Sequence, residues 1–272
     1  MSDITDTEVQ DENVQFSCTV KYLDTFIDSV SSFREEGKLV FNDEYVYTKV
    51  NDPANVAMCI ARIKGQALNS LDVTGSDKIS VGLNFERILD CLSGVPGTSD
   101  IEVTYPVSSG GNLLMRLDVI DEDLTFEVNT LDPSTVPDIP DIDPLSHKSR
   151  INVGGSEIKS TITHADKMVS KDDSGILFRT KSESLKVSTS DKTEGNFKKE
   201  FYNTDPSVDG SLGKHKTTIS ISYLKDIKNI LSKGESVVVH IKEDNPVRFD
   251  VNLDSAGDAQ IIYIIAPRLE SD

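Results

Sequence analysis

The sequence predicts an α+β protein of two similar domains, and three observations carry that expectation. Alternation of apolar and polar residues dominates the 272-residue chain, four stretches break it with helical spacing, and a proline-rich segment at mid-chain leaves two of these on each side. Period two sends successive side chains to opposite faces of a strand, whereas apolar residues at i, i+3, i+4 and i+7 form one stripe along a helix. Strands with one wet face and a few amphipathic helices assemble as helices collected on one face of antiparallel sheets.

Met1 to Asn13 is polar and acidic, so it is expected to be a disordered tail and neither a signal peptide nor an anchor. The first helix follows from Leu23, Phe26, Ile27, Val30 and Phe33, and the second from Phe85, Ile88, Leu89 and Leu92 behind an Asn84 cap. Ile101 to Val107 and Leu124 to Val128 alternate as half-buried strands, and Gly110-Gly111-Asn112 between alternating runs reads as a hairpin turn. Residues 132–144 then carry four prolines in thirteen positions. Proline removes a backbone donor and pushes the residue before it toward extended conformations, so this segment is a connector. Beyond it the pattern returns. Ile158, Ile162, Ala165 and Val169 behind Ser156 make the third helix, Tyr223, Ile227, Ile230 and Leu231 behind Ser222 the fourth, and Val247 to Leu253 a strand. Ser80 to Leu92 and Thr218 to Ile230 share one grammar, an alternating strand running directly into an amphipathic helix. A structural duplication accounts for it. The division expected is a tail over 1–13, domain one over 14–130, a connector over 131–147 and domain two over 148–269.

Acidic residues number 46 against 28 basic, for a net charge of −18. Such an excess repels nucleic acid and anionic membranes on average, and it suits molar salt, where the Debye length falls to about 3 Å. Cys18, Cys59 and Cys91 form no Cys-x-x-Cys pair, which argues against a disulfide framework or zinc ribbon and fits a reducing interior. No stretch approaches the roughly 20 apolar residues of a membrane span. A soluble, cytoplasmic protein is expected.

Signals of catalysis are thin. His147, His164, His215 and His240 have no partner at metal-ligand spacing, and no phosphate-binding loop, nucleophile elbow or zinc-protease motif occurs. Asp138, Asp141 and Asp143 lack the glycine turn and distal glutamate of a calcium loop and read as solvated acid. Gly154-Gly155 ahead of a helix is a weak anion signal. No catalytic residue, metal or cofactor is expected. An acidic β-rich protein binding cations or carbohydrate is the alternative; it leaves the paired helices unexplained.

Three longer words are more specific: Asp52-Pro-Ala-Asn-Val-Ala-Met58, Ser222-Tyr-Leu-Lys-Asp-Ile227 and Ile261-Ile-Tyr-Ile-Ile-Ala-Pro-Arg-Leu269. With the duplicated halves and the acidic connector, they resemble the sliding-clamp family (PCNA) of archaea and eukaryotes, over residues 14 to 269. The resemblance implies the DNA clamp fold: antiparallel sheets outside and two helices per domain lining a trimeric ring around duplex DNA. It implies a processivity factor in replication and repair, from an archaeon or an archaeal virus, halophilic by its charge. The chain would self-associate as a homotrimer or join a mixed ring.

Partners implied are DNA polymerase, a clamp loader and other proteins carrying a PIP-box peptide with one aliphatic and two aromatic anchors. The peptide pocket maps onto Val56, Met58, Ile139, Pro140, Pro246, Ile264, Ala266 and Pro267. Ile264 stands where the family often has an aromatic, and the connector is one residue shorter than the eukaryotic form. DNA-facing cations map onto Arg87, Lys159, Lys167, Lys225 and Lys228. The first helix departs by offering Asp24, Thr25 and Asp28 on the face expected to be outward. Ring closure maps onto Leu124 to Thr130 and Asn196 to Tyr202, with Phe126, Val128, Phe197 and Phe201 as interface residues.

Overall fold

The computed structural model describes residues 12–109, 112–139, 149–169, 174–181, 183–189, 196–202, 213–243 and 245–268. Gly110, Gly111, Pro140, Asp141, Asp143, His147, Leu269 and nearly all of the acidic tail lie outside them.

The first half runs β1 (Asn13–Thr19), α1 (Val20–Ser31), β2 (Glu36–Phe41), β3 (Tyr45–Asn51), β4 (Ala57–Lys64), β5 (Ser70–Thr74), β6 (Ile79–Asn84), α2 (Phe85–Leu92), β7 (Asp100–Ser109), β8 (Asn112–Val119) and β9 (Leu124–Asn129). The second runs β10 (Ser149–Val153), α3 (Gly155–Asp166), β11 (Gly175–Thr180), β12 (Ser184–Thr189), β13 (Lys198–Tyr202), β14 (Lys216–Ser220), α4 (Ile221–Leu231), β15 (Ser236–Ile241), β16 (Val247–Asn252) and β17 (Ala259–Ile265). Each half opens strand then helix, later runs a strand straight into a second helix, and closes on three strands.

The chain groups into two compact units. One comprises Met1–Ile27, Glu36–Thr48 and Ile63–Pro137. Its five-stranded antiparallel sheet has the order β5-β1-β7-β8-β9, and β2 pairs with both β3 and β6. Phe16 and Phe41 meet at 5.9 Å between ring centroids, and Phe26, Leu83, Phe85, Ile88 and Ile101 are buried in the same unit. Each such side chain contributes about 1.5–3 kcal/mol of burial. The isolated bridge from Gly82 to Leu131 requires glycine, since a Cβ there would lie 2.7 Å from the Leu131 carbonyl oxygen.

The other unit comprises Asp28–Glu35, Lys49–Arg62 and Asp138–Asp272. It holds the run β10-β15-β16-β17-β4 and a four-stranded sheet of order β13-β12-β11-β14. Phe178 packs edge-on against Phe249 at 5.9 Å, and Tyr263, fully buried, packs against Phe33 at 5.7 Å.

Helix ends correct four expectations. Asn84 does cap α2, accepting from the Arg87 amide at 3.0 Å. In α3, however, the cap is Gly154 and not Ser156, and the helix stops at Asp166, short of Val169. Gly155 opens it because any Cβ there would overlap the Leu231 carbonyl oxygen of α4, so close helix packing accounts for this second glycine of the pair. The α4 cap is Ser220, two residues before Ser222. Phe33 lies past the end of α1, where its amide still reaches the Val30 carbonyl at 3.0 Å, so the apolar stripe outlasts the helix. Thr25, expected to face outward, is only 3% exposed; its small β-branched side chain fits the buried side of α1.

Candidate functional site

The Asp-Pro-Ala-Asn-Val word forms a tight loop between β3 and β4 that is organised by one carboxylate. Asp52 Oδ1 accepts the amides of Val56 at 2.7 Å and Ala57 at 2.6 Å, and Oδ2 accepts that of Ala54 at 3.1 Å and the hydroxyl of Tyr223 at 2.9 Å. Asn55, at φ 55°, turns the chain through the left-handed region that asparagine tolerates. Asp52 is 6% exposed, and a buried charge of this kind is stable only when its lone pairs are occupied as they are here. Burial, and then the Asp52 bond, push the Tyr223 phenol up to about 12.

This loop fixes Val56 against the C-terminal strand. The Ala266 amide donates to the Val56 carbonyl at 2.8 Å. Val247 is the register partner of Ile265, which sets Pro246 beside Ala266, and Arg248 is the partner of Ile264. Val56, Ile139, Pro246, Ala266 and Pro267 are half-buried, whereas Met58 and Ile264 are buried. The connector is tied down at Ile139, whose carbonyl accepts Lys49 Nζ at 3.2 Å. Val56, Pro246, Ile264, Ala266 and Pro267 are thus brought together, Met58 is core beneath them, and Pro140 lies outside the described residues. Sequence reading missed the roles of Asp52, Tyr223 and Lys49; the Asp-Pro pair, which favours turn initiation, was the available signal for the first.

The expected cations are partly spoken for. Arg87 lies 3.8 Å from Asp90, both well exposed, and Lys225 lies 3.5 Å from Asp166. Lys159 Nζ donates to Ser232 Oγ at 3.4 Å. Lys167 is exposed just past α3, and Lys228 is half-buried in the last turn of α4, favourable to the helix dipole. Asp28 of α1 pairs with Lys233 at 3.0 Å.

Both expected closure segments are sheet edges: β9 ends the five-stranded sheet and β13 the four-stranded one. Phe126 and Phe197 are half-buried there, and Phe197 stacks on His164 at 6.2 Å. Val128 at 7% and Phe201 at 4% exposure are already buried within the chain, since alternate side chains of an edge strand point into its own core.

Elsewhere the chemistry is structural. Burial raises the Cys18 thiol to about 12 and the Cys59 and Cys91 thiols above their usual value, away from the thiolate a nucleophile needs. Among the described residues no group of three metal-ligating side chains occurs, and no helix is long and apolar enough to cross a membrane. A cavity of about 590 Å³ lies between the start of β8 and the end of β9, lined by Tyr105, Leu113, Asn129 and Leu131 among others; of the expected sites, the ring-closure segment reaches it at Asn129 and Thr130.

No protein-family model matches the chain. Among curated proteins it is 25% identical over 246 residues to the DNA polymerase sliding clamp of Methanospirillum hungatei, spanning 90% of this chain and 94% of that one. The DNA polymerase sliding clamp of Natronomonas pharaonis is likewise 25% identical with the same coverage. Among solved structures, Archaeoglobus fulgidus PCNA bound to the C-terminal region of FEN-1 superposes with a TM-score of 0.82 at 22% identity, covering 95% of this chain and all of that one. PCNA from Thermococcus kodakaraensis superposes with a TM-score of 0.79 at 18% identity, again over 95% of this chain.

Proposed function

We propose that this chain, similar along 90% of its length to archaeal DNA polymerase sliding clamps and built on the PCNA fold, is a DNA sliding clamp. The observation that carries the reading is that full-length likeness. It works without catalysis, as a cytoplasmic processivity factor in replication and repair. Two clamp domains, residues 14–130 and 148–269, are joined by the connector over 131–147, and three subunits close head to tail. Edge strand β9 of one subunit pairs with β13 of the next through Phe126 and Phe197; the terminal position of both strands in their sheets, among the described residues, supports this. Val128 and Phe201 hold those strands in shape from within.

A closed ring stays on duplex DNA by topology, so strong phosphate contacts are unnecessary. A trimer would carry three times −18, which cannot grip a phosphate backbone by its average field. Lys159, Lys167, Lys225, Lys228 and Arg87 supply local, salt-sensitive contacts instead. Polymerase, clamp loader and other PIP-box proteins dock by an extended peptide whose aromatic anchors enter the corner of Val56, Ile139, Pro140, Pro246, Ile264, Ala266 and Pro267, above Met58. The Archaeoglobus PCNA structure, with the C-terminal region of FEN-1 bound, supports the docking of partner proteins.

Primer extension on a primed circular template with polymerase and clamp loader tests the function: longer products are expected when the chain is added, and unchanged length would sink the claim. Light scattering is expected to give a mass near three times 29.9 kDa. Phe126→Ala should weaken that assembly, and Ile139→Asp should spare it while abolishing PIP-peptide binding.

A further inference from the structure

The register of the C-terminal sheet sets three basic residues in one row beside the docking corner. Arg150 is the partner of His240, His240 of Arg248, and Arg248 of Ile264, across β10, β15, β16 and β17. Register partners on antiparallel strands share a face. That face is opposite the one carrying buried Val239, Phe249 and Tyr263. Asp250, two residues along β16, steadies the row: Arg248 donates to both its oxygens through Nε and Nη2, and His240 Nε2 lies 3.0 Å from Oδ2. The fork leaves Arg248 Nη1 for another acceptor, and Arg150 is exposed.

We infer that this row receives acidic side chains flanking the anchor motif of a docking peptide, and so selects partners by charge; the inference rests on the peptide pocket proposed above. On a chain of net charge −18 an acidic peptide is repelled on average, so a basic row adjoining Ile264 decides whether such a partner is accepted. The dimensions agree. Arg150 and Arg248 are separated by two strand spacings, about 10 Å, while alternate side chains of an extended peptide recur about every 7 Å. Two carboxylates of one peptide can therefore reach both guanidiniums. So few basic groups, with Arg248 and His240 both already engaging Asp250, are too sparse to hold a phosphate backbone in salt.

The test uses the full chain and three labelled synthetic peptides with identical aliphatic and aromatic anchors, flanked by neutral residues, glutamates or lysines, with binding read by fluorescence anisotropy. The glutamate-flanked peptide is expected to bind roughly fivefold more tightly than the neutral one at low salt. That gain should shrink in Arg150→Gln and in Arg248→Gln, with neutral-peptide affinity unchanged. Arg150 is exposed, so its substitution keeps the test meaningful if Arg248→Gln disturbs the sheet. Equal binding of all three peptides to every variant overturns the inference and leaves the pocket standing. Binding of none overturns the pocket and the inference with it. Displacement of the glutamate peptide by short duplex DNA, lost in Arg150→Gln, would make the row a nucleic-acid contact and overturn it too.

Discussion

Helices α1 and α2 carry Asp24, Asp28, Glu86 and Asp90 against Lys21 and Arg87, whereas α3 and α4, with Lys167 at the α3 C-cap, carry Lys159, Lys225 and Lys228 against Glu157, Asp166 and Asp226. The buried stripes of the two pairs are interchangeable in kind: Leu23, Phe26, Ile27 and Val30 in one, Leu224, Ile227, Ile230 and Leu231 in the other. Burial constrains the stripe, because each apolar side chain removed from a core costs several kcal/mol, while exposed charges contribute tenths. A repeated frame therefore keeps its inner faces and is free to redistribute its outer ones. The second pair is where DNA contact is expected to concentrate.

The largest test of that contrast is steric. Gly155→Val should force α3 off the Leu231 carbonyl and cost about 3 kcal/mol, read as a lower denaturation midpoint; an unchanged midpoint would show that the two helices are not locked at this point. Next comes the bond from α4 to the Asp52 loop. Tyr223→Phe should cost about 1 kcal/mol and lower peptide affinity, since Asp52 Oδ2 loses a donor. It has a pH signature. The phenol's folded pKa, about 12, lies above its ordinary 10, so its contribution is complete below pH 10 and lost as pH rises toward 12. A stability profile over that window should fall less steeply in the variant than in the parent.

Charge reversal addresses the contrast itself. Lys167→Glu with Lys228→Glu should weaken duplex binding about tenfold at low salt and flatten its salt dependence, whereas Arg87→Glu, already facing Asp90, should do less. Equal losses from both helix pairs, measured by anisotropy across a salt series, would erase the distinction. The smallest effect belongs to Asp28→Asn, which removes a partly exposed pair with Lys233 and should cost at most about 0.5 kcal/mol, vanishing in high salt.

Much of the fold was legible because periodicity is local. The runs at Ile101, Leu124 and Val247 lie in β7, β9 and β16, and all four helices form where apolar spacing requires them. Helix starts were less legible: Ser156 and Ser222 have the chemistry of caps, yet the close approach of Gly155 to α4 and the strand running into Ile221 put the starts earlier. Thr25 misled for a related reason. A polar residue on a helix reads as outward, but its burial is set by what packs against it. At the proposed docking corner the resemblance supplied the apolar candidates, while the Asp52 latch, the Lys49 tie and the basic row had no counterpart in the sequence reading.

By itself, then, the sequence determined the strands, the helices, the connector and the repeat of one half in the other, since each depends on side-chain spacing within a few residues. Tertiary structure alone decided which cations are already paired, which of the residues expected at an interface are buried within the chain, and that Arg150, His240 and Arg248 line up beside Ile264. Strand register brings together residues roughly a hundred positions apart, and no local pattern encodes it.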